Sequence, residues 1–391
     1  MKKLKILIVG NYLPDKQISM QRFTDLLVES LRPHGHEIKV IYPTIVVNRF
    51  KASFEEKGKW WGYIDKLLIF PFYLRKEARW ADIVHITDHS NAYYVRSIQN
   101  KPHIVTCHDV IAVRSSQDPK DRTIKRSGKI LQNIILRGLK KAENFACVSA
   151  NTKKELLEIV RSSPNKAVVI YNSLNYPFRK IPKEQARQIL SPLFQNESGA
   201  NHVSSHFVLH VGANQHYKNR MGVLRIYHQL LSRNHKVSLP GLIMAGRPLS
   251  DEMKEFIKAN DLECKVVEII NCSDEQIQAL YSLAQVFIFP SLAEGFGWPV
   301  IEAQACGCRV LTSNFAPLTE IGGDAALYCD PRDEAAFALQ LDGLLKEPEA
   351  QRNARIQSGL ENVKRFTPHT MIEGYLSLYQ TVIETHASNQ Q

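Results

Sequence analysis

A chain of 391 residues is too long for one ordinary hydrophobic core, and two domains of roughly 150–200 residues each are expected. Its composition, 44% apolar and 23% charged, excludes global disorder and fibrous repeats, and its longest apolar run, residues 67–74, falls well short of the roughly 20 residues a membrane-spanning helix needs. The net charge of +11 is unevenly held: residues 1–200 carry 34 Lys and Arg against 18 Asp and Glu, and residues 201–391 carry 16 against 21. A basic half joined to a mildly acidic half implies two units with different partners. No groove-reading motif or aromatic platform accompanies the basic half, so nucleic acid is not among the partners expected.

After Met-Lys-Lys-Leu-Lys, the stretch Ile6-Leu7-Ile8-Val9-Gly10 is too short for a signal peptide and reads as part of a buried first strand, 5–9. Further strands are predicted at 37–42, 83–86, 103–107, 144–148 and 167–171, with helical periodicity between them, as at 20–32 and 129–141. Val- and Ile-rich strands alternating with helices imply βαβ crossovers and a parallel sheet. Residues 176–205 hold Pro177, Pro182, Pro192 and Gly199 and read as a linker with a small helix inside it. The alternation restarts at 206–211, 241–245, 265–269, 286–289, 309–312 and 326–329. The expected organisation is a domain at 1–175, the linker, a second domain at 206–367, and a last helix within 368–391. The fold class is α/β, two Rossmann-like units with the ligand site in the cleft between them.

The turns after the two first strands exclude several functions. Neither Gly10-Asn11-Tyr12-Leu13-Pro14 nor Gly212-Ala213-Asn214-Gln215 is a Gly-x-Gly-x-x-Gly dinucleotide fingerprint, and neither a P-loop nor a Gly-x-Ser-x-Gly elbow occurs. Seven cysteines are scattered without a Cys-x-x-Cys pair, which points to neither zinc nor a disulfide frame and to a reducing cytoplasm.

The chemistry concentrates in residues 286–307. A buried strand ends at Pro290, a loop holding Glu294, Gly295, Phe296 and Gly297 comes next, and Pro299 starts a helix carrying Glu302. Glycines let backbone N–H groups approach an anion, and the helix N-terminus adds its positive dipole. A carboxylate accepts two hydroxyl hydrogen bonds at once, which suits the vicinal diol of a ribose or hexose.

This Glu-Gly-Phe-Gly-x-Pro-x-x-Glu-Ala string, with Thr106-Cys107-His108-Asp109, Val211-Gly212, Lys218-Asn219 and Glu320-Ile321-Gly322-Gly323-Asp324-Ala325-Ala326, resembles the retaining glycosyltransferases of the GT-B fold, group 1 and family 4 in type. The resemblance extends over nearly the whole chain. It implies a nucleotide-sugar donor on the C-terminal domain, a glycan or lipid-linked acceptor on the N-terminal one, and a last helix that crosses back. It assigns Glu302 to the donor ribose, Glu294 to the transferred sugar, and the backbone of Gly295, Phe296 and Gly297 to sugar and phosphate. Lys218 would neutralise the diphosphate, His108 would sit beside the donor sugar, Gly212 would be among the donor-binding residues, and the base would lie near Asn271 and Cys272. Relatives usually pair the lysine with an arginine earlier in the same loop. Here none precedes Lys218, and Arg220, Arg247 and His216 are the candidates to replace it.

No Asp-x-Asp motif occurs, so no metal and no other cofactor is expected. The resulting reading is a hexosyltransferase using a GDP- or UDP-linked sugar in polysaccharide or glycolipid synthesis; a non-catalytic sugar-nucleotide-binding partner in a polysaccharide assembly complex is the alternative. Residues 57–76 interleave Trp60, Trp61, Tyr63 and Tyr73 with Lys57, Lys59 and Lys66, and residues 120–141 add a second basic stretch. An anionic membrane surface is therefore an expected further partner of a cytoplasmic protein.

Overall fold

The computed structural model describes residues 3–44, 62–119, 125–194, 206–233 and 239–389. Trp60, Trp61, Lys57, Lys59, Lys120 and Arg122, on which part of the membrane expectation stood, lie outside the described residues. The strands are β1 (Lys5–Val9), β2 (Glu37–Ile41), β3 (Ile83–Ile86), β4 (His103–Cys107), β5 (Phe145–Cys147), β6 (Ala167–Val169), β7 (Phe207–Gly212), β8 (Gly241–Gly246), β9 (Val266–Ile270), β10 (Val286–Phe289), β11 (Arg309–Ser313) and β12 (Leu327–Cys329). Each corresponds to a strand read from the sequence, with ends shifted by no more than two residues. The helices are α1 (Ile18–Leu31), α2 (Phe70–Ala78), α3 (Ile111–Gln117), α4 (Arg126–Leu139), α5 (Ala150–Val160), α6 (Lys183–Phe194), α7 (Arg220–Arg233), α8 (Asp251–Ala259), α9 (Asp274–Leu283), α10 (Trp298–Ala305), α11 (Leu318–Gly322), α12 (Glu334–Leu345), α13 (Glu349–Val363) and α14 (Pro368–Ser388).

The chain forms two compact units, one from Met1–Asn175 with Phe366–Gln391 and one from Tyr176–Arg365. Each holds a six-stranded sheet, in the orders β2-β1-β3-β4-β5-β6 and β12-β11-β10-β7-β8-β9, and every pairing is parallel. Both faces of a parallel sheet are covered by helices, which is why most of these strands read as largely apolar runs. The described part of the expected linker, residues 176–194, folds into the second unit. There Ile181 N donates to Ser282 Oγ at 3.3 Å, Phe178 packs edge-on against Tyr281, and α6 lies along α9. Its prolines break the strand-helix rhythm without detaching the segment from a core.

In the first sheet, alternation sorts side chains to two layers. Leu7, Val9, Val84, Ile86, Val105 and Cys107 face a core shared with α2, α4, α5 and the 3₁₀ segment His89–Ser97. The other face takes α1 and α14, the helix supplied by the chain's end. His85 joins α14 to the sheet: its ring nitrogens bond to Tyr379 Oη and Thr106 Oγ1, each at 2.7 Å, and Thr106 bonds to Tyr375 Oη at 3.1 Å. Burial drives the His85 pKa down to about 3.

A group whose folded pKa lies below its unfolded value near 6.5 adds stability that is complete above that value and is lost as pH falls toward the folded one. Chemical denaturation at pH 4.5 and 7.5 is expected to show a His85-dependent loss on the order of 2 kcal/mol at the lower pH. The loss should shrink in His85→Gln, which keeps the polar contacts without the titration.

Candidate active site

The order of the second sheet reverses between β7 and β10: β8 and β9 extend one way, β11 and β12 the other. The carboxyl ends of the two central strands therefore flank the crevice in which open α/β sheets bind ligands. The loop leaving β7 makes a 3₁₀ turn, His216–Lys218, that ends on Asn219 at φ 54°. The loop leaving β10 carries Glu294. The two loops meet directly, because Lys218 Nζ donates to Glu294 Oε1 at 2.7 Å and to Oε2 at 2.9 Å. Both side chains are largely shielded, 20% and 8% exposed, so the pair is worth more than a surface salt bridge. Asn219 fixes the crossing: its Nδ2 donates to the carbonyls of Pro290 at 3.0 Å and Pro331 at 3.2 Å. Leu292 N also donates to the Tyr217 carbonyl, at 2.6 Å.

Arg220, the first residue of α7, is 2% exposed. Its Nη1 donates to Asn214 Oδ1 and to the Arg247 carbonyl, while Nε and Nη2 are buried without a hydrogen-bond partner. Burial lowers its pKa, and Glu268 acts in the opposite sense. A buried guanidinium with two unmatched nitrogens is costly alone and is satisfied by an anion. His216 and Arg247 are exposed, so of the three candidates for the missing arginine only Arg220 has this character. His210 is a close neighbour. Its Nδ1 donates to the Ile288 carbonyl at 3.0 Å, leaving a bare, buried Nε2. Burial, with the Arg220 and Lys218 charges adding to it, brings its pKa to about 3 against the pull of the carbonyl. Gly212 is required beside it, since a Cβ there would lie 2.8 Å from Nε2.

Beyond Glu294 the loop narrows through Gly295 and Phe296 to Gly297, whose φ of 104° and approach to Leu318 leave no room for a side chain. Phe296 is buried edge-on against Trp298, and α10 starts at Trp298, one residue before Pro299. Glu302, 8% exposed, receives a hydrogen bond from Tyr281 Oη at 3.2 Å. Burial and the Glu302 carboxylate raise the Tyr281 pKa well above its ordinary value, so the phenol remains the donor. Asn271, at φ 56°, and Cys272 come after the outermost strand β9, two strands from β7, and lead into α9, the helix that carries Tyr281. Burial pushes the Cys272 thiol up to about 11, so it is neutral.

His108 belongs to the first unit, at the end of β4. Its Nε2 donates to the Thr87 carbonyl at 2.9 Å, Nδ1 is bare and buried, and the ring stands edge-on to Phe23. Burial lowers its pKa. Nearby, Asp88 accepts from Ser90 N at 2.9 Å, from Ser90 Oγ at 2.6 Å and from Asn11 Nδ2. Burial would raise the Asp88 pKa, but the neighbouring His89 and His108 rings and these hydrogen bonds outweigh it and hold the carboxylate low. Asn11 and Asp88 lie just past β1 and β3, the strands between which the first sheet's order reverses. Sequence reading missed Asp88, Tyr281 and His210 as polar anchors. Their common signal, a polar residue ending or interrupting an apolar run, is too frequent to single them out.

Residues 195–359 match the family described as glycosyl transferases group 1, and residues 20–176 match glycosyltransferase family 4. The chain belongs to the group 1 glycosyltransferases. It is 26% identical over 266 residues to the O-antigen chain mannosyltransferase B of Escherichia coli, an alignment covering 68% of this chain and 66% of that protein. It is 23% identical over 328 residues to the serotype-specific mannosyltransferase WbdA of the same species, covering 79% of this chain but only 38% of that one. Among solved structures, Anabaena Alr3699/HepE in complex with UDP and glucose superposes with a TM-score of 0.72 at 16% identity, covering 97% of this chain and all (100%) of the other. The two parallel six-stranded sheets with their helices are those of the GT-B fold.

In this group 1 chain, Gly297→Ala places a Cβ 2.7 Å from Leu318 Cδ2 at a φ of 104°. It is expected to destabilise the second unit by about 1–3 kcal/mol, seen as a lower melting temperature with the first unit's hydrogen-exchange protection unchanged.

Proposed function

We propose that this chain is a retaining hexosyltransferase that moves a hexosyl unit from a GDP- or UDP-linked sugar to a glycan or lipid-linked acceptor in polysaccharide or glycolipid synthesis. The observation that carries the reading is the Lys218–Glu294 pair spanning the switch point of the second sheet. The nearby Arg220 guanidinium has two nitrogens, Nε and Nη2, without a hydrogen-bond partner. A nucleoside diphosphate departs with negative charge, so catalysis depends on fixed positive groups aimed at the leaving oxygens. On this reading Lys218 and Arg220 supply them, with loop amides at 295–297 and the α10 dipole, and no metal ion is called upon. Once Lys218 turns to the diphosphate, Glu294 is released to accept hydroxyl hydrogen bonds from the sugar and to face the positive charge developing at the anomeric carbon. Glu302, oriented by Tyr281, takes the ribose diol, and Asn271 and Cys272 border the base. His108 contributes a neutral imidazole whose bare Nδ1 accepts a hydroxyl.

Retention results from attack on the face the phosphate leaves. The acceptor oxygen bonds to the anomeric carbon as the carbon–phosphate oxygen bond breaks, and the acceptor's proton passes to the departing phosphate. The reading takes the cytoplasmic side of a membrane as the place of action, where lipid-linked acceptors are presented. No helix among the described residues is long and apolar enough to cross a membrane.

Thermal-shift titration with UDP and GDP tests the donor site. One of them should raise the melting temperature, and Glu302→Ala should abolish the shift. With the matching nucleotide sugar, slow release of nucleoside diphosphate without acceptor is expected, lowered about 100-fold or more by Lys218→Ala. Binding without release in any mixture would support the non-catalytic partner instead. No shift with either nucleotide would overturn the donor reading.

A further inference from the structure

Helices α2 and α4 of the first unit pack into one core around the segment His89–Ser97. Phe70, Leu74 and Ala78 of α2 and Ile135 and Leu139 of α4 point inward. At Gly138 the helix approaches so closely that a Cβ would lie 2.4 Å from the Ala92 backbone. Their outward stripes therefore point away from the same face of the sheet. Each stripe mixes bulky apolar residues with cations at about helical spacing. On α2 and the turn before it, Leu68 and Phe72 are 62% and 70% exposed, followed by exposed Arg75, Lys76 and Arg79. On α4, Ile130 is 63% exposed between exposed Arg126 and Arg137, with Lys140 and Lys141 beyond.

The charge on the outward stripes of these two helices is of one sign. Residues 125–141 contain no Asp or Glu. Residues 62–79 contain two, Asp65, buried against Tyr12 Oη at 3.1 Å, and Glu77, bonded to Lys39. Three separated apolar side chains ringed by uncompensated cations match a surface that is anionic outside and apolar just beneath. A second copy of the chain would oppose like charges.

We propose that this layer is the face by which the protein lies on an anionic lipid bilayer, with Leu68, Phe72 and Ile130 entering the interface and the cations of α2 and α4 among the headgroups. The inference rests on the first unit alone and stands whether or not the donor reading holds.

The full chain should co-sediment with vesicles of phosphatidylcholine containing about 30% phosphatidylglycerol at low salt, and not with phosphatidylcholine alone. Binding should fall steeply as salt rises past the point where the Debye length drops below about 10 Å. Arg126→Glu, Arg137→Glu and Lys140→Glu together should weaken binding by about 100-fold, and Leu68→Ser with Phe72→Ser by about 10-fold. Circular dichroism and melting temperature show whether each variant is folded. A wild-type chain that ignores the anionic vesicles, or folded variants that bind as tightly as wild type, would overturn the proposal. So would a concentration-dependent dimer, seen by ultracentrifugation without vesicles, that Leu68→Ser with Phe72→Ser dissolves, because the face would then be an interface between copies.

Discussion

One ion pair organises the second unit. Lys218 and Glu294 come from loops that leave the two central strands in different directions, and their bond closes the crevice the sheet's reversal opens. Neither charge is deep enough to be fixed permanently nor exposed enough to be neutralised by water. The pair is therefore stable until an anion competes for the lysine, and removing one partner leaves the other shielded and unmatched. The neighbouring close approaches serve this crossing. Gly246 lies so near the Gly212 carbonyl that a Cβ would be 2.1 Å from it, which draws β7 and β8 together beneath the loop holding Arg220 and Asn214.

Around that crossing the polar groups are arranged to remain in one protonation state. His210 is buried and neutral, with one ring nitrogen donating to a backbone carbonyl and the other bare. Tyr281 is held as a phenol against Glu302. Such groups offer fixed acceptors and donors to hydroxyls without a change in charge, the kind of preorganised environment that sugar recognition and leaving-group departure require. The first unit has a different duty, and the chain's end completes it: α14 covers one face of its sheet through the His85, Thr106 and Tyr375 contacts, leaving the opposite helical layer outward.

The strands were legible because parallel strands buried on both faces are largely apolar, as in Lys5–Val9 beyond its first residue and in Val286–Phe289. The strand–loop–helix around Glu294 and Glu302 was legible too, since its glycines and proline leave few other conformations. The fate of residues 176–194 was not, because prolines mark irregular backbone and not separation; contacts such as Phe178 on Tyr281 are long-range. Nor could spacing reveal that Arg220, two residues after Lys218, turns its guanidinium inward to Asn214 and the Arg247 carbonyl. That depends on where the β8 loop passes, which no local pattern encodes. The partners of His85 are likewise separated by up to 294 positions in sequence.

The proposed exchange of Lys218 from Glu294 to an incoming diphosphate is tested most directly by calorimetric titration of Glu294→Gln with the nucleoside diphosphate that binds the wild type. Freed from its carboxylate partner, Lys218 should bind that nucleotide several-fold more tightly than in the wild type, while affinity for the full nucleotide sugar falls relative to it. A Glu294→Gln chain that remains folded but loses nucleoside-diphosphate affinity would contradict the account, because Glu294 would then hold the nucleotide itself and the ion pair would not be the element the donor divides.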